Sequence, residues 1–367
     1  MTESSPMLSR EKIEQALGQI DDPHLGLDLV AAKAVREIRI EGEHVAIDLC
    51  LPYPCARWAD TFATTVRESL VSQAGVTDCA VNVSQEIIAH AVQQGVKRLE
   101  NVKNIVAIAS GKGGVGKSTT SANLALALAA EGATVGLLDA DIYGPSQPRM
   151  MGLSGQPEST DGKSLEPKEN YGIQTMSIGY LIDEETPMIW RGPMVTQALE
   201  QLLNDTRWRD LDYLLIDLPP GTGDTQLTLA QKVPLSGAII VTTPQDIALL
   251  DARKGLKMFE KVDVPILGIV ENMSTHVCSA CGHEEPIFGA GGGQRMADEA
   301  NVNLLGSLPL DLAIRKHADG GRPTVIAEPD GAIAHAYREI ARKSAAKLSM
   351  QAKDYSSKFP NIVIQNT

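Results

Sequence analysis

Ile105-Val106-Ala107-Ile108-Ala109-Ser110-Gly111-Lys112-Gly113-Gly114-Val115-Gly116-Lys117-Ser118-Thr119 decides the fold. Five apolar residues in unbroken succession predict a strand buried on both faces, as in a parallel sheet. The glycines that follow let the backbone curl until its N–H groups converge on a phosphate. The Ala- and Leu-rich stretch from Thr119 to about Ala130 predicts a helix whose N-terminus adds partial positive charge there. Lys117 is placed to reach the β- and γ-phosphates of a nucleotide, and the Ser118 hydroxyl to ligate Mg²⁺.

Moving outward, the same pattern recurs. Val135–Leu138, Tyr213–Ile216, Ala238–Val241, Ile266–Val270 and Leu304–Leu308 are short apolar runs, each followed by a polar or Gly-rich loop and a helical stretch. This predicts an α/β fold, a doubly wound and mostly parallel sheet with its site at the carboxyl ends of the strands. Ahead of it, a helix begins at Ser9. Strands over Val35–Ile40 and Val45–Leu49 flank a hairpin at Glu41-Gly42-Glu43, and a helix buries Phe62, Val66 and Leu70. A third strand over Val76–Val83 completes a small α/β unit. The expected division is residues 1–92 as the small domain, 93–103 as a polar linker, 104–345 as the nucleotide domain and 346–367 as a C-terminal tail.

Three carboxylates fall at predicted strand ends: Asp139 and Asp141 in Leu138-Asp139-Ala140-Asp141-Ile142-Tyr143-Gly144-Pro145-Ser146, and Asp217 in Ile216-Asp217-Leu218-Pro219-Pro220-Gly221. Phosphoryl transfer needs a metal and a water held on the γ-phosphate side, and such carboxylates can hold both. Cys278-Ser279-Ala280-Cys281-Gly282-His283 is a knuckle whose two sulfurs can converge on one metal. Two ligands are half of what zinc or an iron–sulfur cluster usually takes. His283 and a further residue could complete a zinc site within one chain, or a twofold axis could bring two knuckles together around a bridging cluster; a redox dithiol is a weaker third reading, since the pair does not follow a strand to open a helix.

Composition limits the partners. Lys and Arg number 33 against 46 Asp and Glu, a net charge of −13, which repels nucleic-acid backbones. Aromatic residues are only 4%, too few for a base-stacking platform. No apolar stretch approaches the ~20 residues of a membrane helix, and the first residues carry no secretory pattern. The odd count of five cysteines argues against a disulfide framework and for a reducing, cytoplasmic setting. No membrane and no nucleic-acid partner is expected.

With these residues in view, the loop with its additional Lys112 resembles the deviant phosphate-loop class that includes MinD, ParA and nitrogenase iron protein. Asp141-Ile142-Tyr143-Gly144-Pro145-Ser146, Trp190-Arg191-Gly192-Pro193-Met194 and the single CxxC extend the resemblance to the Mrp/ApbC iron–sulfur cluster carrier ATPases, over about residues 104–328. That resemblance implies ATP bound by the loop between two subunits, with Lys112 reaching across to the partner's nucleotide. It implies that Asp141 orients the attacking water, that Asp217 is a Mg²⁺ residue beside Ser118, that the Gly221 N–H senses the γ-phosphate and that Asn272 reads the adenine. It further implies a homodimer whose Cys278 and Cys281 thiolates bridge a labile 4Fe–4S cluster, received from a donor and delivered to apo iron–sulfur proteins. Residues 9–90 are similar in element order to SufT/PaaD-type assembly domains, with Cys55 keeping part of their cysteine motif. Two other functions fit parts of the chain. One is a MinD/ParA-like positioning ATPase, for which the C-terminal helix with Ile333, Tyr337, Ile340 and Leu348 on one side would lie on a membrane. The other is an ATP-binding scaffold with structural zinc.

Overall fold

The computed structural model describes residues 9–42, 44–74, 76, 78–182, 192–278 and 280–354. In the N-terminal unit the elements are α1 (Arg10–Leu17), β1 (Asp21–Asp22), β2 (Leu27–Asp28), β3 (Val35–Glu41), β4 (His44–Leu51), α2 (Ala59–Ala74) and β5 (Asp78–Gln85). The Ser9 hydroxyl caps α1 by accepting the Lys12 N–H at 3.3 Å, satisfying one of the donors a helix start leaves free. Strands β3 and β4 form the expected hairpin, and β5 lies parallel to β4. Alternate residues Val45, Ile47, Leu49 and Leu51 point inward and meet Phe62, Val66 and Leu70 of α2.

The second unit comprises β6 (Val102–Ala109), α3 (Lys117–Ala130), β7 (Val135–Asp139), α4 (Gln147–Met150), β8 (Lys168–Asn170), β9 (Ile173–Ser177), α5 (Gly192–Asp205), β10 (Leu211–Asp217), α6 (Asp224–Lys232), β11 (Gly237–Thr242), α7 (Asp246–Glu260), β12 (Ile266–Glu271), β13 (His276–Val277), β14 (Glu284–Glu285), α8 (Gly292–Ala300), β15 (Leu304–Ser307), α9 (Leu312–Asp319), α10 (Thr324–Ala327) and α11 (Ala332–Ser349). Eight strands form one sheet in the order β15-β12-β11-β6-β10-β7-β9-β8. All pair in parallel except β8, an antiparallel edge on β9. All six apolar runs read from the sequence lie in this sheet. Two apolar layers sandwich it: α3 and α11 cover one face, and α5 to α8 the other.

Two expectations are corrected, and one alternative loses its support. The segment 93–103 is no free linker, for β6 begins at Val102 and Gln93 is buried. The Gln93 amide donates to the Ala230 and Val233 carbonyls, and its oxygen accepts the Leu235 N–H. The tail does not begin at 346, since α11 runs on to Ser349 with Leu348 buried. The apolar side of α11 is not presented to a membrane: Tyr337, Ile340 and Leu348 are buried in the core shared with α3. No helix among the described residues is long and apolar enough to cross a membrane. Trp190 and Arg191 lie outside the described residues.

The N-terminal unit docks on the far end of α3. Glu131, which caps that helix, is 0% exposed. Its carbonyl accepts the Ala56 N–H at 3.0 Å, its Oε2 the Arg57 N–H at 3.0 Å, and its Oε1 the guanidinium of Arg342 from α11. Arg342 also donates to Glu339 at 2.8 Å and to His24 Nε2 at 3.1 Å, and lies 5.9 Å from the Trp58 ring centre. Cys55, on this turn, is 1% exposed, and burial pushes its thiol up to about 12.

Removing one partner of a buried ion pair leaves the other charge uncompensated. Glu131→Gln is therefore expected to cost about 3 kcal/mol in a urea melt of the full chain. Alkylation of Cys55 under native conditions should speed up in the same variant, as the docked turn opens. Unchanged Cys55 reactivity would mean that the apolar contacts alone hold the two units together.

Candidate functional site

The carboxyl edge of the sheet carries the site because β6, β7 and β10 end there side by side. Register places Asp139 directly opposite Asp217 on neighbouring parallel strands, and both are fully buried. Two carboxylates at that spacing repel each other unless donors surround them. Lys117, the first residue of α3 and 5% exposed, lies with its Nζ 2.5 Å from Asp217 Oδ1. Ser121, one turn along α3, donates its hydroxyl to the same oxygen at 2.9 Å. Gln147 Nε2 donates to Asp217 Oδ2 at 3.0 Å.

Among the described residues no lysine pairs with Asp139. It accepts the backbone N–H groups of Asp141 (3.1 Å), Ser146 (3.0 Å) and Gln147 (3.1 Å), and the Ser177 hydroxyl at 3.1 Å. Burial pushes its carboxyl up to about 7 and the Asp217 charge adds to this, while those N–H groups oppose it. Its role is to fold the 140–147 loop back over the site. Asp141 sits on that loop, half-buried, and its carboxyl is raised by burial and by Asp217 while the Lys117 charge opposes.

The phosphate loop has the backbone its sequence demands. Gly114 and Gly116 both take φ of +81°, the left-handed region that side chains disfavour. A Cβ on Gly116 would also lie 2.2 Å from Asn272 Nδ2. Asn272 is buried at the end of β12 and donates to the Val115 carbonyl at 2.9 Å, so it braces the loop. The Gly221 N–H, at φ +105°, donates to the Ser110 carbonyl at 2.9 Å. Lys112 is half-buried, while Gly113 and Gly114 beside it are exposed.

The oxygen donors around Lys117 suit a hard divalent cation: the Ser118 hydroxyl and the Asp217 carboxylate are the kind of ligand Mg²⁺ takes. Gln147 Oε1 and Ser146 Oγ are buried beside them without a hydrogen-bond partner among the described residues, and such acceptors match the waters that Mg²⁺ keeps. When bound, the ion would neutralise charge on the transferring phosphate.

The cysteine knuckle springs from the same edge. After Asn272 the chain enters the β13–β14 hairpin, rooted by His276 Nδ1 against the Leu310 carbonyl at 3.1 Å and by the Leu310 N–H to Thr275 at 2.7 Å. At its tip the Cys278 N–H donates to the His283 carbonyl at 2.9 Å and the Gly282 N–H to the Cys278 carbonyl at 2.8 Å. Gly282 takes φ of +71° to close the turn. Cys281 is exposed and Cys278 half-exposed. Backbone N–H groups of Ala280 and Cys281 draw the Cys278 thiol below its ordinary range. Cys50, Cys55 and Cys79 lie in the N-terminal unit, the last two buried. Among the described residues no group of three or more His, Cys, Asp and Glu side chains is placed to hold a metal ion, so one chain brings two thiols to the knuckle.

Lys117, Ser118 and Asp217 are thus in direct contact, and Asp141 lies on the loop anchored to Asp139 beside them. Asp139 as loop anchor, Ser121 and Gln147 were not assigned roles from the sequence. The Asp-x-Asp spacing was a usable sign for Asp139, whereas a lone glutamine or serine in a helix carries none.

Comparison with known proteins agrees with this geometry. The family model described as NUBPL iron-transfer P-loop NTPase matches residues 101–345, and that of an iron–sulfur cluster assembly protein matches residues 10–83. The chain is 58% identical over 276 residues to the iron–sulfur cluster carrier protein of Pseudomonas fragi, covering 75% of this chain and 96% of that one. It is 47% identical to the protein of that name from Escherichia coli K12, covering 95% of each. A solved nucleotide-binding protein from Archaeoglobus fulgidus, in complex with ADP, superimposes with a TM-score of 0.56 at 38% identity, over 64% of this chain and 91% of that one.

A depressed thiol pKa means more thiolate at a given pH. Iodoacetamide labelling followed by peptide mass spectrometry should therefore find Cys278 modified first, with a pH midpoint below the ~8.5 of a free thiol. Cys55 should remain unmodified at neutral pH.

Proposed function

The chain belongs to the iron–sulfur cluster carrier family of P-loop NTPases, and from that premise we propose that it hydrolyses ATP and ferries a 4Fe–4S cluster to apo iron–sulfur proteins as a homodimer. The observation that carries the reading is the Cys278/Cys281 knuckle, two accessible thiols on a braced hairpin at the sheet edge that also holds the phosphate loop. A cluster takes four thiolates. One chain offers two at this place, and a second copy related by a twofold axis supplies the others. Ligands shared between subunits and close to solvent suit release better than storage.

The nucleotide end follows from the loop. Gly111 to Thr119 would enclose the phosphates of ATP, with Lys117 on the β- and γ-phosphates and Lys112 reaching toward the partner's nucleotide. Asp141 would orient the attacking water, and Ser118 and Asp217 would hold Mg²⁺. Asn272 would read the adenine, and the Gly221 N–H would exchange the Ser110 carbonyl for a γ-phosphate oxygen. Such an exchange is the kind of local change that shifts a switch loop and, through it, a subunit interface. The cluster donor and the recipient apoproteins would meet the carrier at the exposed knuckle, and nothing in this scheme requires a membrane or nucleic acid.

Cys278→Ala and Cys281→Ala should each abolish iron retention after anaerobic reconstitution, because each removes half of the ligands of a shared site. Cys50→Ala, Cys55→Ala and Cys79→Ala should retain it. Retention of iron by either knuckle variant would overturn the reading.

On the nucleotide side, Asp141→Asn should bind ATP with little change yet hydrolyse it roughly a hundredfold or more slowly in single-turnover assays, the usual scale for losing a positioned acid or base. Lys117→Ala should abolish hydrolysis while still loading iron.

A further inference from the structure

Gln147 is the first residue of α4 and is 1% exposed. Its backbone N–H donates to Asp139 Oδ2 at 3.1 Å. Its side-chain Nε2 donates twice, to Asp217 Oδ2 at 3.0 Å and to the Ser118 carbonyl at 3.0 Å. One residue thus joins the end of β7, the end of β10 and the first turn of α3. The two residues its amide touches are the pair suited to hold a divalent cation.

The other half of the amide is unanswered. Gln147 Oε1 is buried and has no hydrogen-bond partner among the described residues, and the Ser146 hydroxyl oxygen next to it is in the same position. A buried amide oxygen without a donor is costly, and a small polar donor would satisfy it. Mg²⁺ dehydrates reluctantly and keeps several waters in its sites, each a hydrogen-bond donor. Groups around a metal that touch its ligands, without ligating it, set ligand orientation and affinity.

We propose that Gln147 is a positioning residue for the divalent cation. Its amide hydrogens fix the Asp217 carboxylate and the Ser118 turn, and its oxygen accepts a hydrogen bond from a cation-bound water. This rests on the reading above in which Ser118 and Asp217 hold Mg²⁺.

The test titrates Mn²⁺, a paramagnetic substitute for Mg²⁺, into the full chain saturated with ADP and follows the free-ion resonance signal. Gln147→Met keeps the volume and removes donor and acceptor together. It should weaken Mn²⁺ binding roughly ten- to a hundredfold, the usual cost of losing a partner around a metal, while ADP affinity in EDTA is unchanged. Gln147→Asn keeps the amide but draws it back by one carbon from Asp217 and the Ser118 carbonyl, and should weaken Mn²⁺ binding in the same direction. Wild-type Mn²⁺ affinity in Gln147→Met overturns the proposal, as does a matching fall in metal-free ADP affinity, which would make Gln147 a plain support of the loop. Should Gln147→Met fail to fold, wild-type Mn²⁺ affinity in Gln147→Asn overturns it. A wild-type chain that binds ADP but takes up no Mn²⁺ would overturn both this proposal and the assignment of Ser118 and Asp217.

Discussion

Two buried carboxylates facing each other across adjacent strands constrain everything at the carboxyl edge of the sheet. Asp139 and Asp217 are held in register by the β7–β10 pairing, and neither reaches water. Charges so placed need donors from every neighbouring element. Lys117 and Ser121 come from α3, Gln147 from α4, Ser177 from β9, and three backbone N–H groups from the loop after β7. Meeting that demand fixes where α3 starts and how the Asp141 loop folds. The apolar strands supply a rigid platform, but the polar cluster at their ends determines the shape of the site.

Helix α3 carries this constraint through the molecule. Its first residue is the phosphate-loop lysine, and the residue after its last is Glu131, the buried carboxylate on which the N-terminal unit docks. One side of the sheet, α3, α11 and the N-terminal unit share a continuous apolar core. The N-terminal unit is therefore a built-in part of the P-loop body, and Cys55 is sealed beneath its docking turn.

Much of this was legible in the chain. Strands buried on both faces leave unbroken apolar runs, so all six runs lie in one sheet. The glycine-rich loop declares its own geometry, since few residues besides glycine take the conformations of Gly114 and Gly116. The last two strands on one side of the sheet, β9 and the edge strand β8, were not foreseen, because Lys168–Asn170 and Ile173–Ser177 are short and mix polar with apolar residues. Polarity misled at Gln93, which reads as linker but finds three backbone partners inside the fold. Arg338 and Arg342 are charged residues of α11 that a helical pattern would leave in solvent. Instead they turn to Glu131, a partner too distant in sequence for any local pattern to reveal. Gln147 escaped for a similar reason: its importance lies in what surrounds it, and a single glutamine carries no signature.

The central claim is that two chains share one cluster. Anaerobic reconstitution of the wild-type chain with iron and sulfide, followed by sedimentation of the coloured species and metal analysis of that band, tests it most directly. The account predicts a dimer carrying one four-iron cluster, about two irons per chain, with the visible absorption of an iron–sulfur centre. A monomer that keeps a full complement of metal on its own, or a band whose metal is zinc, would contradict it.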